Sequence, residues 1–155
     1  MTNNDKLRRI RYALDISDRE VVQLFALAGY ELTPPQLEAL FKKEDEIGFD
    51  ECPDDIALLF LAGLIASRRG KRTEADAAPK ARKPVLTNND ILKALRVALE
   101  LKDEDLIAIM RLAKVEVSKS EISALFRKPG HSNYRPCGDQ FLRHFLAGLT
   151  LKLRK

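Results

Sequence analysis

The sequence has no tryptophan, only two cysteines and no long apolar run. A transmembrane helix needs roughly 18 mostly apolar residues, and the first residues do not join a basic segment to an apolar one as secretory signals do. Cys52 and Cys137 lack the C-x-x-C spacing of zinc and redox motifs. These absences predict a cytoplasmic protein without a membrane segment and with reduced thiols.

Motifs of catalysis and of β-structure are missing as well. The chain contains no glycine-rich phosphate loop, no H-E-x-x-H and no G-x-S-x-G, and no alternating strand pattern of useful length. His131, Cys137 and His144 do not have the spacing of a metal-ligand set. We therefore expect a protein that is not an enzyme and that uses no cofactor or metal.

What the chain does contain is one helical unit written twice. The pentapeptide 60–64 recurs unchanged at 145–149, and an alignment that starts from Thr2 and Thr87 runs to the C-terminus without a gap. Roughly two dozen of about seventy positions are identical, far above chance. The duplication predicts helical repeats at 1–70 and 87–155, joined by a basic, flexible linker at 71–86 that is rich in Ala, Pro and charge.

Each copy divides into four amphipathic helices, and this predicts an all-α fold of two four-helix units with a shared or docked core. The expected starts of the helices are Thr2, Asp18, Thr33 and Pro53 in the first copy and Thr87, Asp103, Ser118 and Gly138 in the second. The expected inner face of the fourth helix comprises Ile56, Leu59, Phe60 and Leu64, or Phe141, Phe145 and Leu149. Gly63 and Gly148 interrupt this face, which suggests that another helix crosses closely there.

Charge is distributed unevenly. Residues 1–70 carry nine basic and 13 acidic side chains, whereas residues 87–155 carry 13 basic and eight acidic ones. The loop before the fourth helix shows the contrast best, since it is strongly acidic at 44–53 and basic with an aromatic residue at 129–138. An anionic partner would therefore bind the second copy.

The second loop and its flanks supply the candidate binding residues, which combine charge, amides and one ring near a helix N-terminus. They are Arg127, Lys128, His131, Asn133, Tyr134, Arg135, Gln140 and Arg143. Free N–H groups at a helix N-terminus suit phosphate or carboxylate. The alternative is an ordinary solvated loop whose tyrosine lies on the core. Cys52 and Cys137 also fall at these helix starts, where they are either buried thiols or reactive ones with a lowered pKa.

Two functions of different kinds fit these features. The second and third helices resemble a helix-turn-helix with a long turn, and basic clusters lie in the linker and at the C-terminus, so the second copy and the linker could bind nucleic acid. Alternatively, the acidic and basic loops could select a protein partner. An enzymatic role would depend on the loop from His131 to Gln140.

The motifs of both copies also resemble a known family. T-N-N-D opens each copy, L-F-K-K-E-D-E-x-G-F-x-x-C-P-D and F-L-x-G-L-I follow in the first, and K-P-G-H-x-N-Y-R-x-C-G-D-Q-F-L-R-x-F-L-x-G-L follows in the second. This order is similar to that of the YehS-like family of small bacterial proteins, which consist of two copies of a domain of unknown function. The resemblance implies a cytoplasmic bacterial protein without an established activity, and it assigns no site residues.

Overall fold

The computed structural model describes residues 1–69 and 85–154, which form two compact units, Met1–Leu86 and Thr87–Lys155. In these residues all regular structure is helical. Unit 1 contains α1 (Asn3–Leu14), α2 (Asp18–Leu27), α3 (Pro34–Leu40) and α4 (Asp54–Arg69). Unit 2 contains α5 (Asn88–Leu99), α6 (Asp103–Leu112), α7 (Lys119–Leu125) and α8 (Asp139–Leu153). The predicted all-α, duplicated fold is confirmed.

Capping boxes start the first and third helices of each unit, as the sequence predicted. The Thr2 hydroxyl accepts the Asp5 N–H at 3.1 Å, and the Asp5 carboxylate accepts the Thr2 N–H at 3.2 Å. The same reciprocal pair recurs at the starts of the other three helices, with caps at Thr33, Thr87 and Ser118. Each box satisfies two N–H groups that have no partner within the helix.

The predicted caps of the second helices were wrong by one residue. Ser17, whose hydroxyl accepts the Glu20 N–H at 3.2 Å, caps α2, and Lys102 occupies the cap position of α6. Asp18 and Asp103 instead form ion pairs with Arg11 and Arg96, the latter at 2.8 Å. The carboxylates are held by these arginines of the preceding helix, so they do not fold back on their own backbone.

The core of each unit forms where its last helix crosses its second. The α4 backbone at Gly63 lies against the backbone of α2, and a Cβ built on Gly63 would stand 1.9 Å from the Leu24 carbonyl oxygen. At Gly148 of α8 the corresponding distance, to the Ile109 oxygen of α6, is 2.1 Å. The prediction of a close crossing at both glycines is confirmed, since only glycine fits at these distances.

The inner face of the last helix differs from the prediction. Ile56, Leu59 and Phe141 are half-buried, and the core positions beside the two phenylalanines are taken by Ala57 and Leu61 in α4 and by Leu142 and Leu146 in α8. The apolar surface of α4 therefore extends beyond the face that packs in the core of unit 1.

Each unit buries its own apolar residues from all four of its helices. The expectation of a shared or docked core stays a prediction. The predicted linker at 71–86 lies, apart from Val85 and Leu86, outside the described residues. None of the helices within 1–69 and 85–154 combines the length and the apolarity that a membrane span requires.

The glycine crossings lead to a first prediction. Replacing Gly63 or Gly148 by alanine should lower the free energy of unfolding by about 2 kcal/mol or more, because the added methyl group meets a backbone oxygen that cannot move without separating the helices. Urea unfolding followed by circular dichroism measures this change. Alanine has the higher intrinsic helix propensity, so an unchanged or raised midpoint would show that the helices do not cross this closely.

Candidate functional site

The loops that precede α4 and α8 share two backbone turns. We call residues 42–53 the acidic loop and residues 127–138 the basic loop. In the acidic loop the Glu46 and Phe49 N–H groups donate to the carbonyls three residues earlier at 3.0 and 3.2 Å, and in the basic loop His131 and Tyr134 do the same at 3.0 Å each. The glycine with a left-handed backbone conformation occupies a different position in each loop, namely Gly48 in the acidic loop and Gly130 in the basic loop. The two loops thus share their turns but not every backbone angle.

An asparagine in the first turn of each unit holds the loop in place. The Asn4 side chain is fully buried, and its amide donates to the carbonyls of Leu40 and Asp50 at 3.0 Å each. Its oxygen accepts the Cys52 N–H at 2.8 Å. One side chain therefore connects the start of α1, the end of α3 and the end of the acidic loop. We call this arrangement the asparagine clamp.

The clamp recurs in unit 2. The Asn89 amide donates to the Leu125 and Arg135 carbonyls at 2.9 and 3.0 Å, and its oxygen accepts the Cys137 N–H at 2.9 Å. Asn89 is half-buried, so this copy of the clamp is more accessible to water than the first. All three partners belong to the backbone, so the clamp does not use the side chains of the basic loop.

A second asparagine fixes the start of the last helix. The Asn3 amide donates to the Cys52 carbonyl at 3.0 Å and to the Asp54 carboxylate at 2.7 Å, and Asn88 binds Cys137 and Asp139 in the same way. Hydrogen bonds from the Leu86 N–H and from Asn3 lower the pKa of Asp54. Sequence reasoning treated T-N-N-D as a helix cap alone. The exact repetition of both asparagines was the signal that pointed to a further role.

On this common framework the two loops carry opposite charge. Residues 42–55 hold two lysines and seven carboxylates, whereas residues 127–140 hold Arg127, Lys128 and Arg135 against the single carboxylate of Asp139. In the acidic loop Lys42 is engaged locally, because its ammonium group donates to the Ile47 carbonyl at 2.6 Å and lies 3.5 Å from Glu38. The acidic loop therefore presents mainly negative charge.

Seven of the eight predicted binding residues are exposed, all except Tyr134, which is half-buried like its counterpart Phe49. Arg127, Lys128 and Arg143 form no ion pair with any described residue. The structure thus places exposed cations and amides together in and beside the basic loop, along with the half-buried Tyr134.

Two predicted residues have local partners. Arg135 lies 3.7 Å from Glu121. The Ser118 N–H is the main cause of the lowered pKa of Glu121, and the Arg135 charge lowers that pKa further. His131 accepts the Asn133 N–H through Nδ1 at 3.0 Å. This acceptor role assigns the ring hydrogen of the neutral imidazole to Nε2, which is then available as a donor toward a ligand.

The alternative of a reactive thiol at the helix start is wrong for Cys52. Only 4% of its surface is exposed, and burial, followed by the charges of Asp55 and Asp54, raises the pKa of the thiol to about 12. Cys137 is buried as well. Within the described part of the chain, no three His, Cys, Asp or Glu side chains gather closely enough to hold a metal, so His131, Cys137 and His144 do not form such a cluster.

The clamp leads to a second prediction. Asn4→Ala should lower the free energy of unfolding by roughly 3 kcal/mol, because two carbonyls and one N–H lose their partner in a buried place. Asn89→Ala should cost less, since water can reach the half-buried site. Denaturant unfolding measures both. Asn133→Ala is the control, because this side chain is exposed, and equal effects at positions 4 and 133 would contradict the clamp.

Comparison with known proteins shows to which family the whole chain is related. Residues 3–70 and 88–155 each match the family described as Protein of unknown function (DUF1456). The chain is similar to the Uncharacterized protein YehS of Escherichia coli (strain K12), with 44% identity over 152 residues, which covers 98% of this chain and 96% of that protein. No solved structure matches the chain.

The two matched segments coincide with the two helical units described above, each beginning at the first residue of α1 or α5. The identity to the Escherichia coli protein extends through both units. The chain therefore belongs to the YehS-like family of proteins of unknown function and contains two tandem copies of its DUF1456 domain.

Proposed function

We propose that the protein binds nucleic acid through unit 2, with the basic loop and the first turn of α8 as the contact surface. The observation that supports this proposal is the reversal of charge between two loops that share the same clamp and the same turns. The clamp holds the basic loop through backbone groups and does not use its charges. The positive charge of the basic loop is therefore available for a ligand.

Phosphate groups fit the exposed cations of this surface. Arg127, Lys128 and Arg143 have no carboxylate partner among the described residues, so no ion pair has to break when phosphate binds. Binding would also release the counterions that surround a nucleic acid, and this release makes affinity strongly dependent on salt. The N-terminus of α8 contributes further, because its cap residue, Gly138, has no side chain to bond the first N–H groups.

The neutral groups of the loop suit contacts with bases. Asn133 and Gln140 are exposed amides, and the Nε2 atom of His131 can donate a hydrogen bond. Amides can pair with the donor and acceptor edges of unpaired bases, which are accessible mainly in single strands. A single-stranded ligand therefore suits this surface better than a regular duplex.

The third helices support the choice of the loop over a helix-turn-helix contact. α7 has seven residues, about 10 Å of helix, and Glu121 on its first turn places a negative charge near the Arg135 side chain. In unit 1 the corresponding helix begins with two prolines and carries Glu38. Neither helix presents a cationic surface suited to a DNA groove, whereas the basic loop does.

Titration of labelled single-stranded RNA and DNA across a salt series tests the proposal. The variant Arg127→Ala/Lys128→Ala should bind more weakly, and its plot of log affinity against log salt should be shallower by about 1.4 units if both phosphate contacts are lost. The control is Lys93→Ala/Lys102→Ala, which removes the same charge from exposed positions outside the basic loop.

The control should retain the parent affinity and slope. If both double variants weaken binding equally, the effect is one of net charge and the basic loop is not the contact surface. If the parent protein does not bind either oligonucleotide at low salt, nucleic-acid binding itself is wrong.

A protein-interaction module is the second candidate, and one observation favours it. Ile47 lies in the acidic loop with 96% of its surface exposed, and an exposed isoleucine among carboxylates suits contact with a protein better than contact with a polyanion. A protein partner bound through this loop should be lost on Ile47→Asp, with oligonucleotide binding unchanged. Pull-down with the parent and the variant measures this, and equal recovery would exclude the loop as the contact.

A further inference from the structure

The outward side of α4 carries a second apolar pattern that the core of unit 1 does not use. Asp55, Leu59, Ala62, Ala66 and Arg69 follow one another at intervals of four, three, four and three residues. We call these five residues the outer seam. This spacing is that of the contact stripe between two packed helices. Of the buried residues of α4, Ala57, Phe60, Leu61 and Leu64 lie on the opposite side of the helix, and Gly63 lies on the flank between that side and the seam.

The outer seam has accessible surface along its length. Asp55 and Arg69 are exposed, and the three apolar residues between them are half-buried. Leu58 and Ile65, which are also half-buried and lie seven residues apart, border the outer seam. A helix that is apolar on nearly all sides is usually covered on all sides, so this pattern indicates a further helix packed against α4.

We propose that the outer seam joins two copies of this chain through an antiparallel pair of α4 helices. Asp55 and Arg69 lie seven residues on either side of Ala62. When two such helices run in opposite directions with Ala62 on the twofold axis, Asp55 of each copy faces Arg69 of the other. The small side chain of Ala62 lets the helices approach closely at the axis, while Leu58 and Leu59 meet Ile65 and Ala66.

The seam is self-complementary in charge, and a twofold contact requires this property because the same patch serves both sides. Asp55 and Arg69 make no ion pair with any described residue. Each dimer would therefore gain two such pairs without breaking others.

Unit 2 offers a natural comparison, because its last helix lacks the pattern. The residues at the positions of Asp55, Leu58, Leu59 and Ile65 are Gln140, Arg143, His144 and Thr150. An antiparallel pair of α8 helices would bring polar and cationic groups to the axis in place of leucine and isoleucine. The pairing uses unit 1 alone, and it holds whether or not unit 2 binds nucleic acid.

Charge exchange between copies tests the proposal. In sedimentation equilibrium the parent mass should rise with concentration from 17.5 kDa toward twice that value. Asp55→Arg and Arg69→Asp should each weaken association about tenfold or more, because like charges then face each other twice. An equimolar mixture of the two variants should recover association, because both facing pairs become opposite in charge.

Recovery in the mixture distinguishes pairing between chains from a loss of folding, which mixing cannot repair, and circular dichroism confirms that each variant is helical. A parent protein that stays at 17.5 kDa throughout the series overturns the proposal. So does a parent dimer whose association the mixed variants fail to recover.

Cross-linking provides a second test. Ala62→Cys places a thiol on the proposed axis, so mild oxidation should link two chains, whereas Ala147→Cys at the corresponding exposed position of α8 should not. Cys52 and Cys137 are buried and should not react. Equal cross-linking of the two variants would overturn the proposal.

Discussion

The geometry of each unit depends on one asparagine amide group, which is buried in unit 1 and half-buried in unit 2. Asn4 is the one buried polar side chain among the described residues, and its three hydrogen bonds join segments that lie 36 to 48 residues apart. A buried amide without partners would destabilise the fold, so the loop must pass where its backbone can supply them. The clamp thereby fixes where the last helix begins relative to the first helix, and the glycine crossing fixes how closely the last helix packs against the second. Between them, one polar and one steric constraint define the unit.

Local features were the ones that the sequence predicted well. The capping boxes and the helical periodicity involve residues three or four apart, and the two close crossings could be expected because a mid-helix glycine recurs at Gly63 and Gly148. The asparagine clamp was missed because its partners are backbone groups far along the chain, which leave no pattern in side-chain types. The predicted caps of α2 and α6 were one residue too late, because Asp18 and Asp103 form ion pairs with arginines of the preceding helix. In α4 two apolar faces coexist, and periodicity alone could not tell which one enters the core.

The candidate site shows the same division. Exposure of the cations and amides followed from their polarity, and seven of the eight residues are indeed at the surface. The ring of Tyr134 could not be placed from sequence, because a tyrosine suits both a core edge and a ligand. Tyr134 is half-buried, as is its counterpart Phe49 in unit 1, so part of its surface is covered within unit 2. The duplication helps to interpret the other residues. Residues that both copies retain serve the fold, and residues that differ between the copies are available to bind a ligand.

Because the clamp holds only main-chain groups, its anchor points do not depend on the side chains of the segment between them. The two copies already show that an acidic and a basic sequence are accommodated between the same anchors. Antibody scaffolds rely on the same separation, in which a fixed framework presents segments of variable composition. A single unit of this protein is therefore a small cysteine-poor framework on which peptide sequences could be displayed, with its one buried thiol leaving the surface open to chemical labelling.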